Sequence, residues 1–331
     1  MTIMKTDSGA FDRTKFDVLA ACWVCGGTAR EPKSAARFDF TAFREQDPDL
    51  DGYTGCHITL VRCIDCGFIQ PEALPSLPNY FDRMYDQRWS DDWIQSEFDT
   101  TLKDFIFCEV LAELERRRSK SGAKSLLDIG AHVGRFIHLA SREGWQAEGV
   151  ELNPRTAAFA AKTTGLPVHR ENAEKLAASD KRYAAITLTD VLEHIPNPVP
   201  ILRSAHALLE YGGWIAVKVP CGPSQIIKET IRAKLRRRGD AIEVATNLVH
   251  VNHFSPESLR LALEKSGFKN IVVTTGAPEF IDRQAAPGLR TGLSNLFRWS
   301  VFEAARLLPL GVNTPLAMNL QAYAQKAVVD A

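Results

Sequence analysis

The stretch from Ser125 to Phe136 limits what this chain can fold into more than any other. A short apolar run through Leu126, Leu127 and Ile129, with Asp128 inside it, enters a turn that holds Gly130 and Gly134. An amphipathic pattern through Phe136, Ile137, Leu139 and Ala140 begins at once. The order is strand, glycine turn, helix. Glycines at such a turn let main chain approach a ligand closely, and a helix start offers free N–H groups at the positive end of its dipole. In a doubly wound sheet a turn of this kind cradles a cofactor. Two glycines do not say which one.

From Lys124 onward strand and helix patterns alternate. Strands are expected at 124–129, 146–151, 167–170, 183–189 and 213–219, and helices at 134–143, 154–163, 173–178 and 198–210. That alternation argues for a mostly parallel sheet covered by helices. Ser255 followed by Pro256 is a cap for a helix over 256–266, which ends at Gly267. A strand at 270–275, a Pro/Gly-rich break, an amphipathic helix near 289–308 and a last strand near 317–327 complete the pattern. With 45% apolar and 24% charged residues, the 331-residue composition is that of a soluble globular protein. No apolar run reaches the roughly 20 residues that span a bilayer, and no signal-peptide core is visible, so a cytoplasmic location is expected. Forty basic and forty acidic residues cancel, which gives no strong nucleic-acid signal.

In such a compartment cysteines serve as thiols or metal ligands rather than disulfides. Cys22 and Cys25, then Cys63 and Cys66, form two Cys-x-x-Cys pairs, each followed by glycine. The spacing lets both thiolates of a pair bind one ion, and four thiolates complete a closed tetrahedral Zn2+ site of structural type. The interval 26–62 is expected to hold a hairpin with a polar tip around 47–52. Cys56 and His57 read as substitute ligands or as surface-loop residues, and Cys108 as core on a helical apolar face. Prolines at 71, 75 and 78 mark 68–80 as a linker without regular structure. Residues 80–118 carry eight aromatic residues, with helical spacing from about Trp93 to Arg118. They read as a helix beneath the next domain, or, over Tyr80 to Trp93, as a lid. The expected organisation is a zinc-ribbon-like module and linker over 1–79, a helical lead-in over 80–120, and an α/β domain over 121–331 with insertions near 222–249 and 277–316.

Four features follow the glycine turn in the order that a nucleoside cofactor requires. Glu151 ends the second strand about 20 residues past the turn, where a carboxylate can accept ribose hydroxyls. Asn172 follows the third strand, where a side chain meets an adenine edge. The fourth strand leads into Asp190, Val191, Leu192, Glu193 and His194, and Leu208 and Leu209 turn through Gly212 and Gly213 into the fifth. On these residues the chain resembles the class I S-adenosylmethionine-dependent methyltransferases over about 121–331, with the zinc-ribbon N-terminus of one subgroup. The resemblance implies a Rossmann-like seven-stranded sheet with an antiparallel last strand, 270–275 and 317–327 forming the final pair. It implies that Asp128, Gly130 and Gly134 border the methionine part of the cofactor. Glu151 would hold the ribose, Asn172 would sit near adenine, and Asp190 and Val191 would line the methyl-donor cleft. His132 stands where the middle glycine is common, as a cap of the turn or a contact to the cofactor carboxylate.

Methyl transfer from a sulfonium is an in-line displacement in which the protein positions the acceptor and excludes water. A hydroxyl acceptor also needs a base, and histidine is the natural one near neutral pH. His253, His250 and His194 are the candidates, in that order, each also readable as a structural histidine. Cys221, after the fifth strand, reads as a small residue or a substrate contact. Residues 225–238 hold six basic residues and one acidic one, with Ile227, Ile231 and Leu235 at helical spacing. That segment reads as a solvated face, a grip on a phosphate-bearing acceptor, or contact with anionic lipid. The segment 289–308 packs over the acceptor cleft, mediates homodimerisation or rests on a membrane. The leading expectation is O-methylation of a small-molecule, sugar or glycan-linked acceptor, with or without a phosphate. Carbon methylation of a nucleotide sugar, RNA methylation, a non-catalytic cofactor-binding scaffold and an NAD-dependent oxidoreductase are the alternatives.

Overall fold

Continuous apolar runs become strands covered on both faces, and amphipathic runs become their covers. The computed structural model describes residues 14–86, 91–119, 122–236, 243–280 and 288–328. The N-terminal part holds β1 (Phe16–Val18), β2 (Arg30–Arg37), α1 (Pro48–Asp51), β3 (His57–Cys63), β4 (Ile69–Pro71) and β5 (Ala73–Pro75). Strands β2, β3 and β4 form an antiparallel sheet, and β1 pairs with β5. Three helices follow, α2 (Tyr80–Asp86), α3 (Asp91–Asp99) and α4 (Asp104–Arg117).

The remainder alternates as its pattern requires. It runs β6 (Ser125–Ile129), α5 (Arg135–Arg142), β7 (Gln146–Val150), α6 (Pro154–Thr164), β8 (Val168–His169), α7 (Ala173–Ala177), β9 (Tyr183–Thr189), α8 (Pro198–Leu208), β10 (Leu209–Pro220), α9 (Gly222–Arg236), α10 (Pro256–Lys265), β11 (Lys269–Thr275), α11 (Leu289–Leu307) and β12 (Asn319–Gln325). The sheet order is β11-β12-β10-β9-β6-β7-β8. Strand β12 is antiparallel to both neighbours, while β10, β9, β6, β7 and β8 pair in parallel. This is the expected seven-stranded sheet. The carboxyl ends of the parallel strands, where ligands bind in open α/β sheets, all face one crevice. Local chemistry fixes the helix starts. Asn153 caps α6 ahead of Pro154, and Ser255 and Ser258 form a reciprocal capping box ahead of α10. No helix among the described residues is long and apolar enough to cross a membrane.

Several local expectations are corrected. Residues 68–80 are not a structureless linker, because β4 and β5 lie there and their prolines close strand ends, with Pro71 opposite Leu60 and Pro75 opposite Phe16. The helix expected over 93–118 is two helices, broken between Asp99 and Asp104. Cys108 is exposed, because Ile106, Phe107, Val110, Leu111 and Leu114 define the buried face of α4 and residue 108 points away from it. The 47–52 tip is no free polar loop. Asp47 is buried, caps α1 and accepts from Arg83 Nε at 2.8 Å, and Leu50 is fully buried. The lid reading of 80–93 divides: Tyr80 and Met84 are core, Trp93 lies over the His132 ring, and Trp89 lies outside the described residues.

The N-terminal part shares its core with the large sheet. Cys22, Cys63, Cys66 and Phe68 belong to the same apolar cluster as Leu188, Val217 and Phe254, with the Phe68 and Phe254 rings 5.0 Å apart. Ile69 and His253 exchange main-chain hydrogen bonds of 2.9 and 3.2 Å.

Candidate functional site

The four cysteines meet as their spacing requires. All four Sγ atoms lie within 4.8 Å of one another, with Cys22 to Cys66 at 3.6 Å and Cys25 to Cys63 at 3.4 Å. A disulfide needs about 2.05 Å, whereas four sulfurs about 2.3 Å from a central ion lie about 3.8 Å apart. Each pair sits on a tight turn whose glycine, Gly26 or Gly67, takes a positive φ and donates to the carbonyl of the first cysteine. The Gly27 N–H points at Cys25 Sγ at 3.2 Å. The hydrogen bond from the Cys66 thiol pulls Cys22 down to about 5, while that sharing and then burial hold Cys66 above its usual value. The donor set fits a tetrahedral soft cation. Cys56 and His57 lie at the far end of β3 from Cys63, outside this group.

At the glycine turn, the Gly130 and Ala131 N–H groups both donate to Val150 O. Gly130 has φ +83°, and a Cβ there would stand 2.5 Å from Val191 Cγ2. Gly134 serves packing instead, since a Cβ would meet Ala160 Cβ at 2.9 Å. His132 holds φ +51°, a conformation that glycine adopts more cheaply. Its N–H donates to Glu151 Oε2 at 2.9 Å, and Glu151 Oε1 accepts from Asn153 N at 2.8 Å. The Glu151 carboxylate is therefore oriented by main chain, with a lone pair left on each oxygen. Burial, then the Lys103 charge, lowers His132 to about 4, so its ring is neutral; it lies 5.3 Å from the Trp93 ring.

A cavity of about 310 Å³ opens at this turn, lined among others by Glu97, Lys103, Asp128, Gly130, His132 and Thr189. Asp128 is buried and accepts from Thr187 Oγ1 at 2.6 Å; burial raises it to about 7 and raises Glu97 as well. Carboxylates held above their usual range favour a ligand that brings positive charge.

A larger cavity of about 770 Å³ shares Lys103 and Glu279 with the first. Its floor carries Asp190, Glu193, His194, Lys218 and His250. Asp190, at φ +57°, bridges Lys218 Nζ at 2.5 Å and Lys103 Nζ at 3.0 Å. Burial opposes its ionisation, but Lys218 and then Lys103 override that and keep it well below the usual carboxylate range. Burial, then the Asp190 charge, pushes Glu193 up to about 8, and its Oε2 has no hydrogen-bond partner among the described residues. His194 Nδ1 lies 2.7 Å from Val249 O, which also accepts from Tyr85 Oη. A carbonyl only accepts, so this contact puts the proton on Nδ1, beside which Tyr85 Oη also stands at 3.0 Å, and the ring lone pair on Nε2, 3.9 Å from Glu193 Oε1. His250, 4.9 Å from the His194 ring, is lowered to about 2 by burial and then by the neighbouring histidines, and Gln225 Nε2 approaches its Nδ1 at 3.4 Å. Glu193, His194 and His250 offer ligand atoms within 4.8 Å of one another, a set that could also hold a divalent cation.

The loop that carries His250 is set by the N-terminal part. Asn247 Oδ1 accepts from Asp39 N and its Nδ2 donates to Asp39 O, while Tyr80 Oη donates to Asn247 O. Asn247 and Leu248 both hold positive φ there.

The structure thus brings Asp128, Gly130 and His132 onto one cavity, with Glu151 held behind the turn, and Asp190, His194 and His250 onto the other. It separates the remaining candidates. His253, 1% exposed, lies behind the β4 contact and off both cavity walls, lowered to about 4 by burial. Asn172 is exposed and spends its Oδ1 capping α7 at Lys175 N. Val191 packs on Gly130, and Cys221 is buried, accepting from Ser224 Oγ. Sequence reasoning missed Lys103, Glu279 and Lys218. Only Lys218 gave a signal: a cation inside the apolar run of β10 must find a buried partner.

A family model described as a methyltransferase domain matches residues 102–273. The chain is similar to the ubiquinone biosynthesis O-methyltransferase of Cereibacter sphaeroides, 32% identical over 119 residues, covering 33% of this chain and 48% of that one. It is similar also to the protein of the same name from Paraburkholderia phytofirmans, 31% identical over 98 residues, covering 28% and 42%. The chain spans less than half the length of these curated relatives. Among solved structures it is similar to a SAM-dependent methyltransferase from Archaeoglobus fulgidus, with TM-score 0.45, 18% identity, and coverage of 75% of this chain and 100% of that one.

Proposed function

The chain belongs to the methyltransferase family, and from that premise we propose that it transfers a methyl group from S-adenosylmethionine to an oxygen of a small-molecule, sugar or glycan-linked acceptor. The observation that carries this reading is the pair of cavities that meet at Lys103 and Glu279, one walled by the glycine turn and the other floored by histidines and carboxylates.

The residues of the smaller cavity fit the cofactor. Asp128 and Glu97, both desolvated, suit a ligand that carries sulfonium and ammonium charge. Behind the glycine turn, outside the cavity lining, Glu151 is fixed by two main-chain donors and suits a ribose diol. When bound, S-adenosylmethionine supplies an already activated methyl group, so the chain's task is positioning and proton removal. With the proton on Nδ1, His194 Nε2 is the ring nitrogen that takes the acceptor hydroxyl proton as the oxygen attacks the methyl carbon and the sulfur leaves as a thioether. The imidazolium formed keeps its Nδ1 proton on Val249 O and faces Glu193 Oε1 at Nε2. His250, held neutral by its surroundings, is a weaker base and shapes the wall beside it. Asp190, clamped by two lysines, remains ionised and orients the strand end where the cavities join. The four-cysteine group would hold Zn2+ as a closed structural site.

Calorimetric titration of the full chain with S-adenosylmethionine tests the reading. Saturable binding is expected, weakened at least about tenfold by Glu151→Ala, the loss of one charged hydrogen-bonding group. Absence of binding, or equal binding by that variant, overturns it. For the base, His194→Ala should bind the cofactor normally yet lose about 10²–10⁴-fold in turnover on any hydroxyl acceptor that the wild type methylates.

A further inference from the structure

The polar lining of the larger cavity is sorted by burial, with Glu193 and Lys218 buried and Arg232 and Arg298 exposed. Its floor mixes carboxylates, histidines and Lys218, whereas its mouth presents Lys228 and Arg232 from α9 and Arg298 from α11. Helix α9 buries Ile226 but turns Ile227 and Ile231 outward, 46% and 54% exposed, while Lys228, half-buried, and Arg232 line the cavity.

Of the three cations, Arg232 alone has a carboxylate partner among the described residues. Lys228 is half-buried and has no ion-pair partner among the described residues. Arg232 pairs with Glu229 on its own helix at 3.0 Å. Arg298 Nη1 donates to the main-chain oxygen of Glu279, which hydrogen-bonds it without cancelling its charge. The Glu279 carboxylate also lines the cavity, but it lies toward Lys103 and Lys218, 3.8 and 4.0 Å away. Burial, then the charge of Arg232 and that of Arg298, with Glu229 opposing, lowers Lys228. Two helices far apart in sequence therefore converge three cations on one opening, a convergence that one basic helix cannot supply.

We infer that the acceptor carries a phosphate or diphosphate group, gripped at the cavity mouth by Lys228, Arg232 and Arg298, with its reactive hydroxyl at the floor beside His194. This rests on the methyl-transfer reading above. Guanidinium forks match phosphate oxygens bidentately and lysine adds a point charge. A cavity of about 770 Å³ exceeds one phosphate many times over and takes a sugar- or nucleoside-sized body. The apolar wall of Phe297, Val301 and Phe302 would take its less polar face.

The test titrates the full chain with inorganic pyrophosphate, by calorimetry, beside the triple variant Lys228→Ala, Arg232→Ala, Arg298→Ala. The wild type should bind saturably, more weakly as sodium chloride rises, and the variant at least about tenfold more weakly still. Both should bind S-adenosylmethionine alike, which shows that the variant is folded. Pyrophosphate bound equally by the variant, or by neither protein, overturns the inference. Equal affinity for citrate removes the phosphate assignment. Sedimentation of the wild type, but not the variant, with phosphatidylglycerol vesicles, without pyrophosphate binding, reassigns the cations to a membrane surface and also overturns it. Failure of the wild type to bind S-adenosylmethionine counts against the methyl-transfer reading alone, since the pyrophosphate titration is read separately.

Discussion

The four-cysteine group and the floor of the larger cavity each gather ligating side chains within 4.8 Å, yet they are built in opposite ways. In the first, the positive-φ positions are Gly26 and Gly67, where that conformation costs least, and the sulfurs lie within hydrogen-bonding distance in pairs. At the floor and in the loop that carries His250, positive φ falls on Asp190, Asn247 and Leu248, and Glu193 Oε2 is buried without a partner among the described residues. Left-handed residues other than glycine, and an unsatisfied carboxylate, each cost free energy that only surrounding structure sustains. Closure with cheap backbone marks a site that holds the chain together. Strain with open valences marks one that waits for something else.

The largest effect should come from opening the closed group. Structural zinc supplies about 10–16 kcal/mol of apparent folding free energy in small zinc-binding peptides. Cys63→Ser should therefore leave the N-terminal sheet unfolded, and the wild type purified under reducing conditions should carry one zinc per chain by elemental analysis. Metal-free wild type, or a variant with an unchanged urea midpoint, would erase the contrast between the two regions.

At the floor, Lys218→Met should cost about 3–5 kcal/mol, because it strips a buried carboxylate of the partner 2.5 Å away. Lys103→Met should cost far less, since its side chain is 33% exposed and Lys218 would remain to pair Asp190. Urea unfolding of the two variants measures the difference. Equal costs would mean that the floor is not held from the β10 side.

A smaller effect sharpens the comparison through pH. Glu193, at about 8 in the fold against 4.5 as a free side chain, binds its proton more tightly when native. Its contribution is full below the unfolded value and is lost as pH rises through about 8. Over about pH 5 to 7.5 the native state holds the extra proton, so this group makes stability fall with rising pH. Glu193→Gln should flatten that slope by up to about 1.4 kcal/mol per pH unit in urea melts. His250, lowered in the fold, works oppositely, losing stability as pH falls below its unfolded value, and cancels in the comparison of the two proteins. Identical slopes would show that Glu193 is not desolvated.

The alternation that builds the large sheet was legible because its central strands are apolar runs of buried-strand length and some helices open on a capping residue, as at Asn153 and Ser255. The cysteine spacing was legible for the same reason: its information is local. What was hidden is non-local. Nothing in the sequence near His250 says that Asp39, Tyr80 and Tyr85, more than 160 residues earlier, fix its loop, or that His194 rather than His253 lines the larger cavity. Lys103 gave no sign of reaching Asp190, because α4 follows a break where one continuous helix was expected. Cys108 misled because apolar spacing locates a stripe only to within a residue or so, and a cysteine sits comfortably on either side of its edge.

The main-chain exchange between Ile69 and His253 also carries a timing. On a ribosome adding about 5–20 residues each second, the 184 positions that separate those two residues take about 10–40 s to appear. Throughout that interval the cysteine-bearing hairpin exists without the loop it will later brace, and Asp39 and Tyr80 have no Asn247 to meet. Over that interval the first part of the chain has only the contacts among its own residues, and the loop that carries His250 is added against it last.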